Sequence, residues 1–159
     1  MVIQEVVVIV LLAVTVQQLT NLLQGRVIVK ANGRENELVE HFLIGGWILD
    51  WGVLYFGQYQ NKAVIVRGDR PDIQMAALKT PTVCLVSTNG VEPAQYVLYE
   101  AKEEGVPVVV VESDTLATAS ALEGLMERAR FDHHLKLERF QQLLEQEVDI
   151  QGLYSALGQ

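Results

Sequence analysis

From residue 63 onwards, the chain repeats one pattern: short, almost continuously apolar segments alternate with segments of helical periodicity. The apolar segments are Ala63–Arg67, Thr82–Val86 and Pro107–Val111, and the helical segments that follow them are Pro71–Leu78, Pro93–Glu104 and Thr115–Arg128. Strands without polar alternation are typical of parallel sheets, which helices cover on both faces. We therefore predict an α/β fold, a three-layer α/β/α sandwich with a mainly parallel sheet.

The segment before residue 63 is predicted to add two strands to the sheet, at Arg26–Lys30 and Leu38–Ile44, and a buried apolar helix at Trp47–Phe56. Thr15 and Gln18 have the spacing of a capping box, which predicts a helix beginning there. Of the 23 valines, 22 lie before residue 112. Because β-branched residues favour strands, we expect the sheet in the first two thirds and mostly helix in the rest.

The length of 159 residues fits one domain, which we place at residues 15–159, after an apolar N-terminal extension at residues 1–14. The apolar run Val6–Val14 is shorter than the ~20 residues of a membrane helix. The first basic residue is Arg26, so the positive region of a secretory signal is absent. We expect a cytoplasmic protein without a membrane partner, and expect this run to be covered by the domain or by another protein.

Charge and cysteine content exclude several classes of protein. Twelve Lys and Arg against twenty Asp and Glu give a net charge of −8, the wrong sign for a nucleic-acid partner. The single cysteine, Cys84, excludes a disulfide framework, and its position inside a predicted strand indicates a buried, inert thiol.

Catalytic motifs are missing from the sequence. It contains no phosphate-binding GxxxxGK[ST], no dinucleotide-binding GxGxxG and no GxSxG. His133 and His134 point apart on a helix, and His41 has no second ligand near it in sequence, so no metal site is predicted. We expect no catalytic residues and no cofactor; a small phosphotransferase is the enzymatic alternative.

Ligands of open parallel sheets bind outside the carboxyl ends of the strands. Four loops should share that edge: Gly45-Gly46, Gly68–Pro71, Ser87–Glu92 and Glu112–Thr115. The predicted ligand-binding residues in them are Gly68, Asp69, Arg70, Thr88, Asn89, Gly90, Asp114 and Thr115.

The turn at Gly68–Pro71 carries the chemistry of an anion site. Gly68 allows a close backbone approach, the following helix offers free N–H groups, and Arg70 adds a fork of charged donors. In the alternative interpretation these residues serve the fold alone: Asp69 pairs with nearby N–H groups, and Arg70 pairs with Asp114 or a C-terminal carboxylate.

The other two loops are open to a similar pair of interpretations. Thr88, Asn89 and Gly90 could hydrogen-bond a ligand or only close a loop. Asp114 and Thr115 stand where a helix N-cap is expected.

These residues together resemble the DRTGG domain family. The Asp-Arg of the family matches Asp69-Arg70 within Val66–Leu78, and its Thr-Gly-Gly matches Thr88-Asn89-Gly90, with Asn89 in place of the first glycine. Val106–Thr115 is similar to the family's last strand and its Asp-Thr turn, and Phe131–Asp149 is similar to its closing helix. The resemblance covers about residues 15–150. Asparagine tolerates left-handed backbone better than most residues, so the loop is compatible with this change.

The resemblance implies an α/β/α sandwich similar to the N-terminal domain of HPr kinase. The family also supplies the middle domain of BioD-like phosphotransacetylases and accompanies CBS domains in regulated pyrophosphatases, where it looks like a regulatory or dimerising module. The chain would be a stand-alone copy.

Two functions remain open at this point. The first is a non-catalytic regulatory module that binds an anionic metabolite, such as a nucleotide or acyl phosphate, at the carboxyl-end loops and acts as a homodimer. The alternative is a purely structural module that dimerises or docks on a partner enzyme such as a phosphotransacetylase. The N-terminal run and Trp47–Phe56 are the candidate interface surfaces.

Overall fold

The computed structural model describes residues 13–46, 52–128, 133–147, 149, 152, 154 and 155. Its strands are β1 (Val14–Thr15), β2 (Arg26–Val29), β3 (Leu38–Val39), β4 (His41–Gly45), β5 (Lys62–Arg67), β6 (Thr82–Thr88) and β7 (Val108–Val110). Its helices are α1 (Val16–Leu22), α2 (Gly52–Gly57), α3 (Pro71–Leu78), α4 (Gln95–Glu103), α5 (Thr115–Arg128) and α6 (His134–Glu147).

Within the described residues, the main sheet has five strands in the order β2-β7-β6-β5-β4. Strands β4, β5, β6 and β7 are parallel, and β2 lies antiparallel to β7 at one edge. A second, small antiparallel sheet joins β1 to β3. The predicted mainly parallel sheet is therefore confirmed.

The two faces of the sheet are buried by different helices, because successive strand residues point to opposite sides. Ala63 and Ile65 of β5 join the core beneath α1 and α5. Val64 and Val66 of the same strand join the core beneath α2, α3 and α4. The α/β/α layering predicted from the apolar strands is thus confirmed.

One predicted strand is two strands in the structure. The prediction of a single strand at Leu38–Ile44 is wrong because the chain changes pairing partner at Glu40. Before that residue, β3 pairs with β1, and after it, β4 pairs with β5. The backbone amide of Glu40, between the two strands, donates to the carbonyl oxygen of Asn61 at 2.7 Å. The segment Leu38–Ile44 contains no glycine, proline or other typical turn residue that would signal such a change.

The predicted apolar helix at Trp47–Phe56 is present in its second half, as α2, and residues 47–51 lie outside the described residues. Phe56 is buried, but Val53 and Leu54 are exposed, so the prediction that this helix is buried is wrong for its outer side. At the N-terminus, Ala13 and Val14 are buried in the domain, although we assigned them to the extension. The remaining residues of that segment, 1–12, lie outside the described residues.

The capping box that begins α1 is formed as predicted. The Gln18 amide donates to the Thr15 hydroxyl at 3.1 Å, and the Thr15 amide donates to the Gln18 side chain at 2.9 Å. Two of the free N–H groups at the start of the helix region are satisfied in this way.

Lys62 is a fully buried cation at the start of β5. Its ammonium donates to the carbonyl oxygens of Pro81 and Tyr59, at 2.7 and 3.2 Å, and burial lowers its pKa to about 8. The unfolded chain therefore holds this proton more tightly than the folded protein. We expect the lysine's contribution to the free energy of unfolding to rise between pH 8 and about 10, by at most about 1.4 kcal/mol per pH unit.

The measurement is the melting temperature of the wild type and of Lys62→Met across this pH range. The comparison is needed because burial raises the pKa of Cys84 to about 12, which lowers stability as pH rises above about 9. That opposing effect is common to both proteins and cancels in their difference. A difference that stays constant with pH would contradict the prediction.

Candidate functional site

The four predicted loops lie at one edge of the sheet. The parallel registers bring the strand ends together: Gly45 of β4 pairs with Val66, and Arg67 of β5 pairs with Thr88. On the other side of β6, Ser87 pairs with Val110 of β7. The expectation of a shared carboxyl edge is confirmed.

The turn after β5 is packed against the loop after β6. The Gly68 amide donates to the Thr88 carbonyl oxygen at 3.4 Å. A Cβ atom on Gly68 would lie 2.1 Å from the Val91 carbonyl oxygen, so only glycine fits this approach. The Asp-Arg and Thr-Asn-Gly sequences therefore stand side by side, one turn against the other.

The loop after β7 joins the same cluster. The amides of Asn89 and Gly90 donate to the carbonyl oxygens of Ser113 and Val111, at 2.9 and 2.8 Å. Asn89 and Gly90 have φ values of 64° and 65°. Asn89 thus adopts the left-handed conformation that a glycine would adopt freely. Three neighbouring loops are interlocked by their backbones.

The eight predicted ligand-binding residues differ in accessibility. Gly68 and Thr88 are buried, and the Thr88 hydroxyl is engaged with that of Thr115 at 3.0 Å. Asp69, Asn89 and Asp114 are exposed, and Arg70, Gly90 and Thr115 are partly exposed. A ligand could reach the last six residues directly, whereas Gly68 and Thr88 support the loops from beneath.

Arg70 forms a bidentate ion pair with Asp72. Its Nε and Nη2 atoms lie 3.1 and 2.9 Å from the two carboxylate oxygens. The hydrogen bond between them raises the pKa of Arg70 and lowers the pKa of Asp72. Pairing with Asp114 or a C-terminal carboxylate, which we offered as the structural interpretation, is wrong for the described residues.

Asp69 and Asp114, the two aspartates of the predicted site, bind different kinds of partner. Asp69 pairs with Arg67, whose Nε donates at 2.9 Å, rather than with backbone N–H groups as expected. Asp114 accepts from the Ala117 amide at 2.8 Å and is the N-cap that its position predicts.

Three residues of this edge were missed from the sequence. Arg67 lies beside Arg70, and Arg26 lies there because β2 runs antiparallel and begins at the carboxyl edge; it pairs with Glu92 at 2.7 Å. Gln74 is fully buried in α3 and donates to the carbonyl oxygens of Arg67 and Gly68 at 2.9 and 3.2 Å, which fixes the turn. A polar residue within the otherwise apolar inner face of α3 is the signal that could have revealed Gln74.

Further observations concern metal ligands, the cysteine and the helices of the chain. Within the described residues, no three His, Cys, Asp or Glu side chains come together as metal ligands would. The expectation that His133 and His134 point apart on a helix is wrong: His133 precedes α6, and the two rings stack with centroids 4.6 Å apart. Cys84 is buried as predicted. None of the helices in the described ranges is long and apolar enough to cross a membrane.

The fold and the loop cluster define a class of small α/β domain with a helix-covered sheet and three interlocked loops at its carboxyl edge. The chain belongs to the DRTGG domain family, whose model matches residues 18–125. This match confirms the resemblance carried by Asp69-Arg70 and Thr88-Asn89-Gly90.

A solved structure with a similar fold is the region of Clostridium perfringens pyrophosphatase that holds its CBS and DRTGG regulatory domains, complexed with the activator diadenosine tetraphosphate. The identity is 15% and the TM-score is 0.61; the match covers 74% of this chain and 48% of that one. The chain thus spans about half the length of that structure.

Proposed function

We propose that this chain is a non-catalytic regulatory module of the cytoplasm that binds an anionic metabolite, such as a nucleotide or acyl phosphate, and acts as a homodimer. The observation that carries the proposal is the position of Arg70. Its side chain is one-third exposed, at the start of α3 and beside the cluster of interlocked loops. An arginine fork at a helix N-terminus suits phosphate or carboxylate oxygens.

The comparisons support a regulatory role. The chain shares its family with a domain of a pyrophosphatase regulatory region, and that region was solved with a dinucleotide activator. Phosphate groups would supply the negative charge that Arg70 recognises.

The present partner of Arg70 indicates the geometry that a ligand needs. Asp72 offers two oxygens to the guanidinium, as a phosphate or carboxylate group of a ligand would. Exposed ion pairs contribute little to stability because water screens them, so a multiply charged ligand can displace the aspartate.

Arg70→Ala is expected to abolish stabilisation by the ligand while the protein still unfolds cooperatively. The measurement is a thermal-shift screen with adenine and guanine nucleotides, acetyl phosphate, acetyl-CoA and inorganic phosphate. A ligand at 100 times its Kd stabilises by about 2.7 kcal/mol. For a domain of this size we expect a rise of several degrees, at roughly 2–4 °C per kcal/mol.

Lys79→Ala is the matched control, because Lys79 is exposed just after the far end of α3 and its removal changes the net charge equally. It should respond to ligands as the wild type does. Equal responses in Arg70→Ala and the wild type would refute the role of Arg70.

The structural alternative, a module that only dimerises or docks on a partner enzyme, is favoured by one observation. Each arginine at the carboxyl edge already has a carboxylate: Arg26 with Glu92, Arg67 with Asp69, and Arg70 with Asp72. If these pairs serve the fold alone, the screen would give no shift for any compound, and the wild type would still form a stable oligomer.

A further inference from the structure

Strand β4 lies at the open edge of the main sheet. Within the described residues it pairs with β5 on one side, and no strand pairs with its other side. Proteins usually protect such edges with charged side chains, proline or a bulge. The sequence His41–Gly45 contains no Lys, Arg, Asp, Glu or Pro, and its pairing with β5 runs without interruption.

The surface around this edge is apolar. Ile44 is 45% exposed, and Val53 and Leu54 of the neighbouring α2 are 46% and 62% exposed. Ile44 also lines two hollows, one of about 300 Å³ against α2 and α3 and one of about 170 Å³ against α5. The open edge is therefore flanked by exposed aliphatic side chains and by room to receive others.

The low charge of this surface suits self-association of an acidic chain. A second copy of the chain carries the same net charge of −8, so two copies can approach closely only where few carboxylates face each other. Neither β4 nor α2 contains a charged residue. Glu123 of α5 lines the smaller hollow, and Glu40, which directly precedes β4, is paired with Arg139.

We propose that β4 is the homodimer interface, and that two copies pair their β4 strands antiparallel about a twofold axis. The inference rests on the proposed dimerisation and adds the surface and geometry to it. A twofold axis pairs a strand with itself in the antiparallel sense, which here joins two five-stranded sheets into one.

The residues of β4 are complementary to themselves in this arrangement. With Leu43 on the axis, Phe42 faces Ile44 of the other copy on the α5 side of the sheet, where both line the same hollow. On the other side, the ring of His41 faces Gly45, which has no side chain. Phe42 and His41 thus each meet a smaller residue of the other copy, and Leu43 meets its own counterpart on the axis.

Ile44→Lys tests this surface, since Ile44 is exposed enough for the fold to accept the change. Each lysine would then lie against Phe42 of the other copy, with the second lysine diagonally opposite on the same side of the sheet, and we expect the Kd of the dimer to rise about 100-fold or more. The matched control is Val27→Lys, which places the same charge at a valine that is 37% exposed on β2, the opposite edge strand.

The measurements are sedimentation equilibrium and hydrogen exchange on the full chain at micromolar concentration. We expect a wild-type dimer with slow exchange in residues 41–45, a monomeric Ile44→Lys with faster exchange there, and a dimeric Val27→Lys. A monomeric wild type, an undisturbed Ile44→Lys dimer or dissociation in Val27→Lys would each overturn the proposal. Loss of ligand response in Arg70→Ala is measured separately, so the ligand site and the interface can fail independently.

Discussion

Replacing Arg139 with methionine is expected to destabilise the protein by about 3–5 kcal/mol, because the change leaves Glu40 buried without its cation. The Glu40 side chain is only 4% exposed and is bound by Arg139 through both carboxylate oxygens. The Asn61 amide donates to the same carboxylate at 3.1 Å. The ion pair between Arg139 and Glu40 thus connects α6 to the junction between β3 and β4. The measurement is urea unfolding.

Two further variants separate the loss of a buried ion pair from the loss of a positive charge. The double variant Glu40→Gln with Arg139→Met removes the stranded charge and should recover much of the stability. Arg67→Met breaks an exposed pair, with 57% and 51% of the two side chains accessible, and should cost no more than about 1 kcal/mol. Equal losses in Arg139→Met and Arg67→Met would show that Glu40 tolerates isolation.

Gly68→Ala is expected to destabilise the protein by about 1–3 kcal/mol, the usual cost of overpacking. The added Cβ would lie 2.1 Å from the Val91 carbonyl oxygen and 2.5 Å from the Val91 Cβ. One of the two backbones must move, which strains the contact between the turn after β5 and the loop after β6. Thermal unfolding measures the effect.

Gly57→Ala provides the comparison for this substitution. Gly57 ends α2, and a Cβ there would meet nothing within 4 Å. Because alanine is a better helix former, this variant should be neutral or up to about 1 kcal/mol more stable. A Gly68→Ala protein as stable as Gly57→Ala would mean that the loops separate without cost.

The sheet and the position of the site were predictable because both follow from local pattern. Apolar runs such as Ala63–Arg67 indicate buried parallel strands, and parallel strands bring the loops at their carboxyl ends to one edge. The capping box at Thr15 and the N-cap at Asp114 are likewise local, since each joins residues three positions apart.

Features that depend on distant partners were not predictable in the same way. Nothing within Leu38–Ile44 signals that the chain changes partner at Glu40. The sequence also does not reveal that β2 runs antiparallel to its neighbour. The position of Arg26 at the carboxyl edge was therefore not predicted. Arg70 pairs with the nearby Asp72 and not with Asp114. Several carboxylates were possible partners of this arginine, and residue type alone does not show which of them it binds.

The antiparallel pairing of β2 with β7 has a consequence for how the protein acquires its structure. Residues 26–29 pair with residues 108–110, which are made only after the three other strands of the main sheet, β4, β5 and β6. During synthesis, β2 can therefore pair with β7 only after most of the domain has left the ribosome. Contacts so distant in sequence slow folding, so closure of this edge is expected to be a late step in reaching the native state.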